Sequence, residues 1–142
     1  MNMRMIASYA AIALGVILII GGGATWYLVS DTLAEQEITV SGDASCAAGD
    51  LVDGPYSAYC QAQIIQEHTM DSTGGLTYAQ LDREDPLRTV AMNSSFLQAS
   101  LFTSVLAFGV AAMAGGMGVI MVLLGLGMRD EAHVAEEIPT RV

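Results

Sequence analysis

TVAMNSSFLQASLFTSVLAFGVAAMAGGMGVIMVLLGLGM, residues 89–128, runs for forty residues without a charged side chain. About 20 apolar residues suffice to cross a bilayer as a helix. A second uncharged run, MIASYAAIALGVILIIGGGATWYLVS, occupies residues 5–30. Composition agrees with this pattern. Hydrophobic residues make up 53% of the 142 and charged residues 14%, whereas a typical soluble domain carries about 25% charged residues. The chain therefore reads as two membrane-spanning helices. The first run follows Arg4, as a secretory signal would, but it is longer than a signal core and no A-x-A site follows it. An uncleaved anchor is the expectation.

The predicted fold is an all-α membrane protein, a two-helix transmembrane hairpin with a small, mainly helical, disulfide-stapled extracytoplasmic loop domain. The expected boundaries are 1–35 for the first transmembrane helix and its extension, 36–85 for the loop domain, 86–128 for a long second helix and 129–142 for a cytoplasmic tail. Asp85 is placed to cap a helix starting at Pro86, whose missing N–H costs nothing there. From Pro86 to Met128 such a helix spans about 64 Å, and hydrocarbon is only about 30 Å thick. Its first turns, PLRTVAMNSSFLQ, are expected to stand clear of the bilayer.

Three pieces fill the connection. EITVSGDAS, from Glu37, is extended or irregular, with Ile38 and Val40 in a short strand. PYSAYCQAQIIQEHTMDST predicts a helix from Pro55 to about Thr73, with Asp53 as a cap near its start and Gly74-Gly75 ending it. Tyr56, Cys60, Ile64 and His68 recur every four residues, on one face. TYAQLDRED opens with Thr77 and Gln80 at capping-box spacing. The tail RDEAHVAEEIPTRV is polar and expected to be mobile or to order only on a partner.

Net charge is −10 with no lysine, and eleven of the 15 acids lie between Asp31 and Asp85. Phosphate contacts need a basic surface, so nucleic-acid binding is excluded. The same repulsion argues against docking that segment on anionic headgroups. Arg4 and Arg129 flank the two runs, which favours both termini in the cytoplasm of a multi-pass plasma-membrane protein.

The only cysteines, Cys46 and Cys60, bound CAAGDLVDGPYSAYC. A zinc site needs four ligands, and the segment offers these two and His68 at no common zinc spacing. A redox dithiol shows C-x-x-C, which is absent. A disulfide remains, as expected in an oxidising compartment. With both termini cytoplasmic, the bilayer separates His68 from His133, so they cannot share a metal. No Ser/His/Asp or Cys/His arrangement and no phosphate loop is visible, and no catalytic, cofactor or metal residues are assigned. Asp82, Glu84 and Asp85 form an acidic set that reads as a solvated, capping surface or as a surface for a basic partner. The runs contain no ionisable residue of the kind that marks ion pathways. They do carry small residues at intervals of four: Ala7, Ala11 and Gly15 in the first; Ala111/Gly115, Ala112/Gly116 and Ala114/Gly118 in the second. This spacing brings helices close in lipid, either to each other or to another protein. Met113, Met117 and Met121 share a face suited to an irregular partner.

The segments AGDLVDGPYSAYCQAQII, TGGLTYAQLDREDPLR and AMNSSFLQASLFTSVLAFGVAAM resemble those of a group of small two-span actinobacterial membrane proteins. The motifs G-L-T-Y-A-x-L-D and S-F-L-x-A-S-L-F-T-S-V-x-A-F-G carry the resemblance, which covers nearly the whole chain. Members often bear the label aromatic ring-opening dioxygenase, which the separated histidines contradict for this chain. The resemblance instead implies an accessory subunit of the respiratory supercomplex that joins cytochrome bcc to an aa3-type cytochrome oxidase, with lipids and integral membrane subunits as partners. It supplies no catalytic residues. The expected function is thus a non-catalytic accessory subunit that stabilises or associates a large membrane complex. A metal-dependent dioxygenase and a stand-alone homo-oligomeric envelope protein are the alternatives.

Overall fold

The computed structural model describes residues 3–137 and is all-helical, with three helices: α1, Met3–Ala34; α2, Pro55–Ser72; and α3, Leu87–Glu137. Both α1 and the Leu87–Arg129 part of α3 are long and apolar enough to cross a membrane, the most apolar 18-residue stretch of each having a mean hydropathy of 2.2. Helix α3 does not stop at Met128 but continues to Glu137. Arg129, Asp130, Glu131 and Ala132 are followed by no glycine or proline until Pro139, so nothing in the sequence breaks the helix there. The remainder of the expected tail, 138–142, lies outside the described residues.

The chain divides into two compact units. One combines α1 up to Trp26 with α3 from Val110 onward. In it the two helices run antiparallel along a shared seam: Gly15 faces Gly118, and Gly22 faces Ala111. The other unit is Tyr27–Gly109. Its core gathers Val40, Val52, Ala58, Cys60, Ala62 and Leu101, with Leu33, Ile38, Ile65 and Val105 packed against them. Burying apolar side chains of this kind contributes roughly 25 cal/mol per Å² removed from water.

Local chemistry explains where the elements of this second unit begin and end. After α1 the backbone turns through Glu37, whose φ of 51° is left-handed. The expected strand at Ile38 and Val40 is reduced to an isolated antiparallel bridge, Thr39 with Leu51. The Val40 N–H donates to the Asp50 carbonyl at 2.9 Å and the Val52 N–H to the Ile38 carbonyl at 2.8 Å. Gly49, at φ 82°, turns the chain immediately before the second arm, and the helix start at Pro55 follows it. No room is left for a longer ladder.

Asp53 is not the cap of α2. Gly54 is, in an extended conformation, with Pro55 as the first helical residue. The Ser57 hydroxyl accepts from the Gly54 N–H at 3.3 Å and contacts its carbonyl at 3.2 Å, so the side chain that closes the helix start comes from within the helix. The Asp53 carbonyl instead accepts from the Ser30 hydroxyl at 2.6 Å. At the other end, Gly74 and Gly75 take φ of 65° and 85°, and the Gly75 N–H reaches back to the Met70 carbonyl at 2.7 Å. That is the six-to-one bond of a Schellman ending, which needs left-handed residues after the cap. The Gln80 amide oxygen accepts from the Thr77 N–H at 2.9 Å, as the capping-box spacing predicts. The Asp85 carboxylate accepts from the Leu87 N–H at 2.8 Å at the start of α3.

Candidate functional site

The seam is built from small residues seven positions apart. Ser8, Gly15 and Gly22 are the buried residues of α1, and they meet Gly125, Gly118 and Ala111 of α3. A methyl group added to Gly15 would sit 2.6 Å from the Gly118 carbonyl oxygen, and one added to Gly22 would sit 2.6 Å from the Ala111 carbonyl oxygen. Backbone therefore touches backbone. The Ser8 hydroxyl, fully buried, donates to the Gly125 carbonyl at 2.7 Å. Hydrogen bonds of this kind between helices in lipid are worth about 0.6 kcal/mol on average.

Of the small residues spaced by four, Gly15, Ala111, Gly115 and Gly118 reach the seam. Ala7, Ala112 and Gly116 lie exposed, and Ala11 is half-buried beside the seam. The reason is angular. At about 3.6 residues per turn a four-residue step drifts about 40° around the helix, whereas a seven-residue step drifts only about 20° in the other sense. A series of fours leaves a straight seam and a series of sevens nearly follows it. Ser8, Gly22 and Gly125 sit on the seam for that reason. A search of α1 at period seven finds the first two.

Cys46 and Cys60 form a disulfide, with their Cα atoms 5.7 Å apart. Cys60 is buried in the core of the second unit, and Cys46 packs against that core. The bridge ties the irregular segment to α2. His68, on the last turns of α2, is paired with Asp43 across 2.7 Å, and both side chains are exposed. The Asp43 carboxyl is held down to about 2, first by the hydrogen bond from the Ser41 hydroxyl and then by the one from His68. His68 thus has a defined partner in the irregular segment rather than being simply solvated. Tyr56 and His68, placed on one face with Cys60 and Ile64, are exposed, while Cys60 and Ile64 are buried. In the acidic set, Asp82 and Glu84 are exposed and Asp85 caps α3. The neighbouring Arg88 lies with its guanidinium 4.2 Å from the centre of the Tyr78 ring and donates to the Leu81 carbonyl. Among the described residues no three His, Cys, Asp or Glu side chains come together as a metal-binding group.

One concavity stands out in the second unit. A groove of about 730 Å³ is walled by the end of α1, by Ile38 and α2, and by residues Leu97 to Ala107 of α3. Its lining is uncharged, and apolar surface predominates. Sequence periodicity does not reveal it, because its walls come from three separate segments. No protein-family model, curated protein or solved structure matches the chain.

Proposed function

We propose that this chain spans the plasma membrane twice, with both termini in the cytoplasm and the stapled segment outside. It acts there as a non-catalytic accessory subunit of a large membrane complex. The observation that carries the reading is the apolar surface left outward by the seam. Only 17% of the most apolar window of either long helix is buried within the chain. Ile17 and Ile20 on α1 and Leu123 and Leu124 on α3 are all more than half exposed. A soluble protein does not tolerate an apolar surface of that extent; lipid and neighbouring helices do.

The partners are integral membrane subunits that pack on these outward faces, where Ala7, Ala112, Gly116, Met113 and Met117 lie exposed. The family resemblance narrows the complex to the respiratory supercomplex of cytochrome bcc and aa3 oxidase. Charge supports a position facing an oxidising compartment, where the disulfide persists and an acidic surface such as Asp82 and Glu84 favours approach of a basic partner. The test is affinity purification of the tagged chain from gently solubilised membranes, followed by mass spectrometry. Co-purification of cytochrome and oxidase subunits is the expected result. Recovery of this chain alone would overturn the proposal.

A further inference from the structure

We infer that the bilayer grips this chain between two aromatic levels, Tyr9 and Trp26 on α1, and that α3 enters the hydrocarbon only after Ser104; the inference rests on the membrane-spanning reading above. The uncharged runs alone do not give this placement. Residues 89–128 are uncharged and about 60 Å long as a helix, twice the hydrocarbon thickness of about 30 Å. The bilayer takes only half of that length. Three observations choose which half.

The first is the register of the seam. Ser8 meets Gly125, Gly15 meets Gly118 and Gly22 meets Ala111. Continued toward the start of α1, that register sets Tyr9 level with Leu124 and Arg4 level with Arg129, and both arginines are exposed. Two cations at one level suit the cytoplasmic headgroups. Toward the other end, one turn beyond Gly22 is Trp26, and one turn before Ala111 is Ala107. The second observation is polarity. No residue from Val105 to Met128 is polar, whereas seven of the twelve from Asn93 to Ser104 are. The same register matches Val105–Met128 to residues 5–28 of α1, which end just short of Ser30 and Asp31. Such a stretch is about 36 Å long, enough to span the hydrocarbon with some tilt.

The third is the placing of aromatic side chains. Trp and Tyr collect at the two membrane surfaces, where one part of the ring is apolar and another is wet. In residues 5–28 the aromatics are Tyr9, Trp26 and Tyr27, and all three are exposed. Tyr9 and Trp26 stand about 25 Å apart along the helix. The hydrocarbon thickness of about 30 Å lies between that spacing and the 36 Å of the apolar stretch, so both rings sit at its edges. On α3, Phe102 lies within about one turn of Val105; it is exposed and edge-on to the exposed Tyr59, with ring centroids 6.2 Å apart. The two compact units also divide at Trp26 and Val110, close to the same level. Leu87–Ser104 therefore rises from the outer surface although most of it is uncharged.

Trp26 is the only tryptophan in the chain, so its fluorescence reports its depth without any substitution. The purified full-length chain is placed in phosphatidylcholine vesicles that carry a nitroxide on one lipid tail, either near the glycerol or near the terminal methyl. Trp26 is expected to lose about twice as much fluorescence to the first as to the second, as a group at the edge of a hydrocarbon layer about 30 Å thick would. Tyr9→Trp in a Trp26→Phe background should behave in the same way. Ile17→Trp in that background should reverse the order, because position 17 lies midway between the two levels. A bilayer centred on the uncharged run 89–128 would have Phe108 and Gly109 at its midplane, and Trp26 within about one turn of it. Stronger quenching of Trp26 from the methyl end would show that placement and overturn the inference while the membrane reading stands. Quenching of Trp26 by aqueous iodide but by neither lipid, with position 17 quenched from the methyl end, would overturn it as well. No lipid quenching at position 9, 17 or 26 would instead overturn the membrane reading itself.

Discussion

Gly15 approaches α3 so closely that a single methyl group decides whether the helices can stay in contact. Besides the Val122 Cγ2 at 2.8 Å, the methyl would meet two backbone atoms, the Gly118 carbonyl oxygen at 2.6 Å and the Val122 nitrogen at 2.9 Å, and backbone cannot rotate aside. Gly15→Ala is expected to cost about 1–3 kcal/mol, the usual range for overpacking, read as a lower midpoint of unfolding in mixed micelles. Gly116→Ala, with nothing within 4 Å, should shift the same midpoint by less than about 0.5 kcal/mol. Equal effects would mean that the seam lies elsewhere. That small residues matter in these runs is legible in the sequence; which ones touch is not, because i+4 and i+7 spacings coexist in a glycine- and alanine-rich run and only the partner helix selects between them. Asp43 gives a second prediction at this scale. Its carboxyl is lowered from 3.8 to about 2 in the folded chain, so between those values the unfolded state binds more protons and stability rises with pH. The contribution is present above about pH 4 and lost as pH falls through about 2. Asp43→Asn should therefore be less stable than the parent at pH 5, with the difference largely lost by pH 2, in thermal unfolding followed by circular dichroism.

At the scale of the elements, punctuation residues set most of the boundaries. Pro55 starts α2, Gly74 and Gly75 end it, and Asp85 with Pro86 starts α3. Asp85→Ala removes the acceptor for the Leu87 N–H and should cost about 1 kcal/mol, measurable in the same unfolding experiment. Gly75→Val, at φ 85°, should cost at least about 1–2 kcal/mol, because a β-branched side chain is strained there. These boundaries were readable because each residue acts on its own few neighbours. Two features were not. The expected strand at Ile38 and Val40 depends on how much partner chain lies opposite, and Gly49 and Pro55 leave too little. The continuation of α3 to Glu137 runs through polar sequence whose helicity gives no apolar signal.

For the molecule as a whole, the disulfide governs the stability of the second unit. Closing a loop of about 15 residues is worth about 3 kcal/mol in the chain-entropy account, a large share of what a small core supplies. The double substitution Cys46→Ser with Cys60→Ser should lower the stability of that unit by about that amount, and in the unsubstituted chain mass analysis after alkylation should find no free thiol until reductant is added. The groove was the least legible feature, since its walls are far apart in the sequence and no single segment displays them. The seam has its own consequence at this scale. Sliding α3 along α1 by seven residues, about 10.5 Å, would bring Gly15 opposite Gly125 and Gly22 opposite Gly118, leaving two layers of glycine on glycine. The glycine layers thus fix how near α1 and α3 lie but discriminate weakly between axial settings. The native setting is held by the Ser8–Gly125 hydrogen bond, by the third layer of contact, and by the covalent connection, residues 35–86. A version of the protein cut within that connection and expressed as two pieces would still pair its helices, with the native stagger favoured over one a heptad away by little more than that bond and that layer.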